Sequence, residues 1–162
     1  MLICGWAGNS RRVGGCSPQD DEMKQELQDK IFEDFPELFE LRRPRKEGEK
    51  VMPSICYGLE CGDGWYDLIY TLCSQISNYL KWKKKEDQVQ VVQVKEKFGG
   101  LCFYTNGVPD EVRGMISMAE SMSYKICEVC GNKGTNKSVG GWYETTCEEH
   151  RRKETRKDVP ER

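Results

Sequence analysis

The sequence contains a single histidine, His150, among its 162 residues. Nucleophilic hydrolases need a base beside the nucleophile, and this base is most often a histidine. If His150 binds a metal, no histidine is left for a Ser-His or Cys-His active site. The sequence also lacks a Walker-type phosphate loop, a Rossmann glycine fingerprint and a Gly-x-Ser-x-Gly elbow. These absences favour a protein that binds rather than catalyses.

An excess of charge and a long apolar run are also missing. The formal net charge is −2, whereas a dedicated duplex-DNA binder normally carries a marked basic excess. No segment approaches the roughly 18 apolar residues that a membrane span requires, and the first residues lack the basic start of a signal peptide. We therefore expect a cytoplasmic protein, in which most of the nine cysteines are metal ligands or small buried residues rather than disulfides.

The clearest motif lies near the C-terminus, in Cys127-Glu-Val-Cys130 and Cys147-Glu-Glu-His150. Two pairs of Cys or His with a two-residue gap, separated by a glycine-rich stretch, are typical of a tetrahedral zinc site. Four protein ligands would close the coordination shell, so we expect structural Zn²⁺. The alternative is that these cysteines are unrelated thiols. A second metal site could form from Cys56 and Cys61 with Cys73 or Cys102, but its spacing is looser and buried free thiols are favoured there.

Apolar periodicity predicts the remaining architecture. Steps of four from Met23 indicate a first helix that Pro36 ends or kinks, and Asp20 or Asp21 would cap it. Steps of three and four from Trp65 to Leu80 indicate a central core helix that Asp63 caps. A β-branched run from Val89 to Val94, with its partner at 101–105, forms a hairpin whose turn is Gly99-Gly100. A third helix follows Pro109, and further short strands are expected near 51–57 or 139–146.

The predicted fold class is therefore α+β. A small antiparallel sheet or hairpin packs with two to three helices, and a C-terminal module resembles a zinc ribbon or knuckle. We predict a disordered leader over 1–22, an α+β domain over 23–124, a zinc-binding module over 125–150 and a disordered charged tail over 151–162.

The predicted ligand-binding surface is the hairpin tip. Two lysines, an aromatic side chain and exposed backbone N–H groups are suited to an anion such as a nucleotide phosphate, and nearby aromatic side chains offer stacking faces. The candidate residues are Lys95, Lys97, Phe98, Gly99, Gly100, Trp65 and Tyr66. Aromatic residues at this spacing are also typical of a core, and a charged hairpin tip is typical of a solvated surface.

Two other functions compete with this one. The zinc module and the basic segment 151–157 favour binding of nucleic acid, which would weaken steeply with salt. Glu60, Asp63 and Asp67 favour a metal-dependent hydrolase, although capping of a helix is the plainer role of such acids.

Three linked motifs resemble a family of small proteins of tailed bacteriophages and prophages. They are Cys61-Gly-Asp-Gly-Trp-Tyr-Asp-Leu-Ile69, Val91-Val-Gln-Val-Lys-Glu-Lys-Phe-Gly-Gly-Leu101, and the terminal Cys-x-x-Cys and Cys-x-x-His with Gly141-Trp142 between them. The resemblance covers about residues 23–150. Cys102 departs from it, since the family often has Arg there, and the departure removes one candidate ligand-contacting charge from the hairpin.

The resemblance implies a host bacterial cell rather than a chemistry. We expect a non-enzymatic, zinc-stabilised phage protein that binds a host protein or a nucleotide-type immune signal as a counter-defence. Self-association into a homo-oligomer is also compatible with the sequence.

Overall fold

The structure is a computed structural model that describes residues 22–42, 54–83 and 89–152. The predicted leader up to residue 21, the charged segment 43–53, residues 84–88 and the tail beyond 152 lie outside the described residues. Within the described residues three helices and five strands follow one another: α1 Gln25–Asp34, β1 Leu59–Glu60, α2 Tyr66–Lys83, β2 Val91–Lys97, β3 Gly100–Thr105, α3 Asp110–Ser123, β4 Thr135–Val139 and β5 Trp142–Thr146.

Helix α1 ends where proline predicts. Its last residue is Asp34, and Pro36 opens a short 3₁₀ turn, Pro36–Leu38, because proline cannot continue the hydrogen-bonded helix. The apolar stripe is buried, with Ile31 and Phe35 in the core. The helix begins after Lys24 without a side-chain cap, and the two predicted caps, Asp20 and Asp21, lie outside the described residues.

Helix α2 is the central core element that the periodicity predicts. Ile69, Leu72, Cys73 and Ile76 are buried along one face, which contacts both α1 and α3. A 3₁₀ turn, Asp63–Trp65, precedes the helix and begins without a side-chain cap. The prediction that Asp63 caps α2 is therefore wrong. The Asp63 carboxylate instead accepts the backbone N–H of Lys24 at 2.7 Å and pairs with the Lys24 Nζ at 2.8 Å, which ties the start of α1 to the start of α2.

The main sheet has three strands in the order β1-β2-β3. Strands β2 and β3 pair antiparallel, with Val94 opposite Phe103, whereas the short β1 pairs parallel to β2, with Leu59 opposite Val94. The sheet is therefore mixed rather than purely antiparallel. Helix α3 covers the outer edge of β3, because the N–H groups of Leu101 and Phe103 donate to the side chains of Ser123 and Glu120, both at 2.9 Å.

The hairpin turn lies one residue earlier than the sequence predicts. Lys97 pairs with Gly100, so Phe98 and Gly99 are the turn residues, with φ of +53° and +74°. Positive φ at both central positions defines a type I′ turn. Gly100 instead begins β3, where an added Cβ would collide with the ring of Tyr124.

Strands β4 and β5 form a separate antiparallel hairpin. Strand β5 falls in the predicted window 139–146, while the described part of the window 51–57 is a 3₁₀ turn, Ser54–Tyr57, directly before β1. The predicted α+β class, with three helices, a small sheet and a C-terminal Cys/His cluster, is confirmed. None of the described helices has the length and apolar character that crossing a membrane would take.

Candidate metal centre

The four predicted metal ligands meet at one point. The ligand atoms of Cys127, Cys130, Cys147 and His150 all lie within 4.8 Å of one another. The Sγ atoms of Cys130 and Cys147 are 3.8 Å apart. His150 Nδ1 lies 3.1 Å from Cys147 Sγ and 3.8 Å from Cys127 Sγ. These four residues lie close enough to hold a metal ion.

The spacing fits a tetrahedral ion with sulfur and imidazole ligands. Zn–S bonds of about 2.3 Å at tetrahedral angles place two thiolates about 3.8 Å apart, which is the separation of the Cys130 and Cys147 sulfurs. Within the described ranges this is the only group of three or more Cys, His, Asp or Glu residues so arranged. The residues present therefore fit a metal ion with a closed four-residue shell.

A tight turn holds the first cysteine pair. Gly131, at φ +75°, donates its N–H to the Cys127 carbonyl at 2.9 Å, and the Cys127 N–H donates to the Asn132 carbonyl at 2.7 Å. Burial acts to raise the pKa of the Cys127 thiol, but backbone N–H groups of Cys147, Cys130 and Val129 outweigh it and hold the pKa below its ordinary value. The turn therefore favours the thiolate that binds a metal.

Two cations fix the second ligand pair at the end of β5. The Arg151 guanidinium donates to the Thr146 carbonyl at 3.0 Å and to the Thr135 hydroxyl at 2.6 Å, which joins the two strands of the hairpin. Arg152 pairs with the buried Glu144 carboxylate at 2.6 Å. These two arginines of the predicted nucleic-acid segment therefore have structural partners, and residues 153–157 lie outside the described residues.

The first cysteine turn packs directly on the start of α2. The N–H of Gly64 donates to the Glu128 carbonyl at 2.7 Å, and the indole N–H of Trp65 donates to the Ile126 carbonyl at 3.0 Å. Gly62 donates to the Glu128 carboxylate at 3.0 Å. Glycine is required at position 64, since an added Cβ would overlap the backbone of Cys127. The approach of the two backbones leaves no room for any side chain.

The β2–β3 turn rests on the β4–β5 hairpin. Asn136 donates its amide to the Phe98 carbonyl at 3.2 Å, and the Thr145 hydroxyl donates to the Gly99 carbonyl. The Gly99 N–H donates to the Glu96 carboxylate at 2.5 Å. The backbone of the turn is therefore engaged on both sides, and the N–H group that the sequence suggested for an anion already has a partner.

The seven predicted ligand-binding residues do not form one surface. Trp65 has 0% of its surface exposed and is a core residue, because its indole packs beneath the cysteine turn. Tyr66 is half-buried beside Tyr70, and the backbone of Gly99 and Gly100 faces neighbouring elements. What remains accessible is the set of side chains at the turn and on the adjoining sheet face.

Those side chains form the turn surface, which consists of Lys95, Lys97, Phe98 and Tyr104. The Lys97 Nζ lies 5.5 Å from the centre of the Phe98 ring, and the Lys95 Nζ lies 5.6 Å from that of Tyr104. Both distances are within the range of cation–π attraction. Phe98 is 67% exposed, and Gly99 donates to Glu96 beneath it. The turn surface is thus a projecting aromatic ring flanked by ammonium groups.

The acidic residues of the predicted hydrolase have separate environments. Glu60 accepts the Gln93 amide at 2.9 Å, and Asp63 is paired with Lys24. Asp67 lines a groove between α2 and α3. Within the described residues the three carboxylates form no metal-holding group.

The other described cysteines are dispersed. Cys61 and Cys73 are buried, and burial raises the pKa of both thiols. The Cys56 thiol donates to the Leu41 carbonyl at 3.3 Å. In the described part of the chain Cys56 and Cys61 belong to no second metal-holding cluster.

Two features of the structure were not predicted from the sequence: the contacts of Asn136 and Thr145 with the turn, and the groove between α2 and α3. The alternation of β4 could have placed Asn136 on the face that meets the turn. The groove had a signal in the spacing of Met115, Met118 and Met122, which places three methionines along one helix face.

Fold and centre together define an α+β protein with a Cys/His cluster. No family model matches the chain, and no curated protein or solved structure is detectably similar to it.

Proposed function

We propose that the ion in this centre is Zn²⁺ and that its role is structural. Three thiolates and one imidazole are the ligand types zinc favours in closed sites. Zinc would cross-link the turn of Cys127 and Cys130 to the turn of Cys147 and His150. The cysteine turn contacts the start of α2, and the β4–β5 hairpin holds the β2–β3 turn. The metal would therefore fix the turn surface in place.

We propose further that the protein is a non-enzymatic binding protein that contacts a partner protein through the turn surface. One observation carries this proposal. Phe98 combines φ of +53° with 67% exposure, so a bulky residue occupies the left-handed region without burying its ring. Such a conformation costs about 1–3 kcal/mol and is retained mainly where a site uses it. An exposed aromatic anchor on a fixed backbone is a common centre of a protein interface.

A small nucleotide fits this surface less well than a protein does. Nucleotide sites are concave and enclose most of the ligand, whereas Phe98 projects from a turn. The Gly99 N–H donates to Glu96, and the carboxylate repels a phosphate at the same place. Trp65, which would have supplied a second stacking face, lies in the core.

The resemblance to phage proteins supplies the biological setting of the proposal. A small protein made during infection would act in the bacterial cytoplasm on a host protein, as a counter-defence factor. This setting depends on the motifs around residues 61–69 and 91–101 and on the cysteine pattern.

The experiment is a quantitative affinity capture from lysate of a bacterial host, using the zinc-loaded chain as bait. We expect a host protein to bind the wild type and to be depleted at least about tenfold with Lys95→Ala/Lys97→Ala and with Phe98→Ala, because interface anchors contribute about 1.4 kcal/mol or more. The control is Trp82→Ala, which removes another exposed aromatic residue, on α2.

Three outcomes would contradict the proposal. Equal capture by the turn variants would place the contact elsewhere. Native mass spectrometry that finds a retained nucleotide on the wild type, lost in Phe98→Ala, would favour the nucleotide-type signal. Capture of nucleic acid that disappears steeply as salt rises would favour the nucleic-acid hypothesis.

A further inference from the structure

A second surface lies between α2 and α3, away from the turn surface. It is a groove of about 310 Å³, at the lower end of the size of protein binding pockets. Its walls are almost entirely uncharged side chains. The lining residues are Gly64, Asp67, Leu68, Thr71, Leu72, Gln75, Met115, Met118, Ala119, Met122, Ile126 and Gly131.

One wall of the groove is a row of methionines. Met115, Met118 and Met122 follow one another at steps of three and four, so all three lie on one face of α3. Met118 is 63% exposed and Met122 46% exposed. Methionine is a flexible apolar side chain that adapts to varied partners, and it is enriched at surfaces that bind helices. The row therefore leaves apolar area open along the groove.

The charge of the groove is uneven along its length. Asp67 is the only ionisable lining residue, and it lies at the end next to the cysteine turn, where Ile126 and Gly131 close the groove. Among the described residues Asp67 forms no hydrogen bond or ion pair. Beyond the groove, at the C-terminal end of α2, Lys83 pairs with Glu111 at 3.6 Å. A single negative charge without a described counter-ion thus marks one end of an apolar channel.

The dimensions match a short stretch of helix. Asp67 and Gln75 are eight residues apart on α2, which is a rise of about 12 Å. Three apolar side chains at positions i, i+3 or i+4, and i+7 of another helix span about 10.5 Å. Two adjacent helices also present the ridges between which a third helix packs.

We infer that this groove docks an amphipathic helix of a partner protein, whose apolar face fills the channel and whose last turn places an Arg or Lys against Asp67. The polarity follows from the charge, because a cation is favoured at the C-terminal end of a helix. This site is distinct from the turn surface. It lies between α2 and α3 rather than on the β2–β3 hairpin, and it binds a helix. The partner helix would carry apolar residues at steps of three and four and one Arg or Lys in its last turn.

The test uses the full zinc-loaded chain with methyl-¹³C methionine and a defined peptide. The probe is an acetylated 18-residue helix with Leu at steps of three and four and Arg in its last turn. We expect saturable shifts of the Met115, Met118 and Met122 methyl signals with this peptide and none with an isomer that scatters the same leucines around the helix.

Two variants identify the contacts. Met118→Ala is expected to weaken binding about tenfold, because it removes a large part of the apolar wall. Asp67→Asn is expected to weaken the Arg peptide about two- to fivefold, the range of an exposed ion pair, and to leave a peptide with Gln in place of Arg unchanged. Phe98→Ala, on the turn surface, is the matched control and should bind the probe as the wild type does.

Several results would overturn the inference. Absence of methyl shifts, or equal binding of the scrambled isomer, would exclude a helix as the occupant. Sedimentation that finds a dimer which Met118→Lys dissociates would assign the groove to a second copy of this chain. Saturable binding of decanoate together with failure of the helix would assign it to a small apolar ligand.

Discussion

The backbone at Phe98 offers a direct test of why an exposed ring is held in a left-handed conformation. Phe98→Asn keeps the turn but installs the residue that type I′ turns favour before glycine, since Asn tolerates positive φ. Phe98→Ala removes the ring as well but retains a residue that is strained at φ of +53°. The two variants therefore lose the same contacts and differ in backbone strain.

The expected magnitudes follow from the local contacts. The left-handed region costs a residue other than Gly, Asn or Asp about 1–2 kcal/mol. The ring contributes its contact with the Lys97 ammonium group at 5.5 Å, which is worth about 0.5–1 kcal/mol at an exposed site. Phe98→Ala should therefore lower the free energy of unfolding by about 0.5–1 kcal/mol. Phe98→Asn should exceed Phe98→Ala by about 1 kcal/mol and equal or exceed the wild type.

The assay is denaturation by guanidinium chloride at a fixed free zinc concentration, because bound metal contributes to stability. Capture of the partner is measured on the same preparations, and both variants should lose it. A Phe98→Asn protein that is no more stable than Phe98→Ala would show that the conformation stores no strain. A Phe98→Asn protein that still captures the partner would show that the ring is not the contact.

Three further changes test the centre and its attachment. Cys147→Ser should weaken zinc binding by more than about a hundredfold, since mutating even the residues that hydrogen-bond to metal ligands costs about 10- to 100-fold. Competition with a chromogenic chelator measures the affinity, and an unaltered value would exclude Cys147 as a ligand. Gly64→Ala should cost about 1–3 kcal/mol by overpacking against Cys127, whereas Gly107→Ala, in open space, should be nearly neutral in the same melt. For Asp63, burial acts to raise the pKa, but hydrogen bonds from Lys24 outweigh it and lower the pKa. The stabilising contribution of Asp63 is therefore present above the unfolded pKa of about 3.9 and lost as pH falls through the lower folded value; an acid titration of stability in Asp63→Asn that parallels the wild type would refute this.

The parts of the fold that sequence predicted are those with a local signal. The face of α2 follows from apolar residues at steps of three and four, and Pro36 marks the end of α1 because its ring cannot continue a helix. The metal cluster follows from ligand spacing, since each tight turn by itself brings two ligands together. In these cases the residues that determine the structure are neighbours in the chain.

The parts that sequence did not predict depend on distant neighbours. Asp63 had the composition of a cap for α2, but its partner Lys24 lies 39 residues away. Gly99-Gly100 has the composition of a hairpin turn, but Gly100 is the first residue of β3. Glycine is needed there because a Cβ would collide with the ring of Tyr124. The spacing of Trp65 is the same whether the ring stacks on a ligand or fills the core. Its burial depends on Ile126, whose carbonyl accepts the indole N–H from 61 residues later in the chain.

The attachment of the cysteine turn to the start of α2 also orders events during synthesis. The N–H groups of Gly64 and Trp65 find their acceptors at Glu128 and Ile126, more than 60 residues later in the chain. At about 5–20 residues per second, the roughly 60 intervening residues take about 3–12 s to synthesise. Throughout that interval the Trp65 indole lacks the partner that covers it in the finished protein. The apolar face of the nascent helix is therefore covered only late in synthesis, and the Cys/His cluster is complete only once His150 has been made.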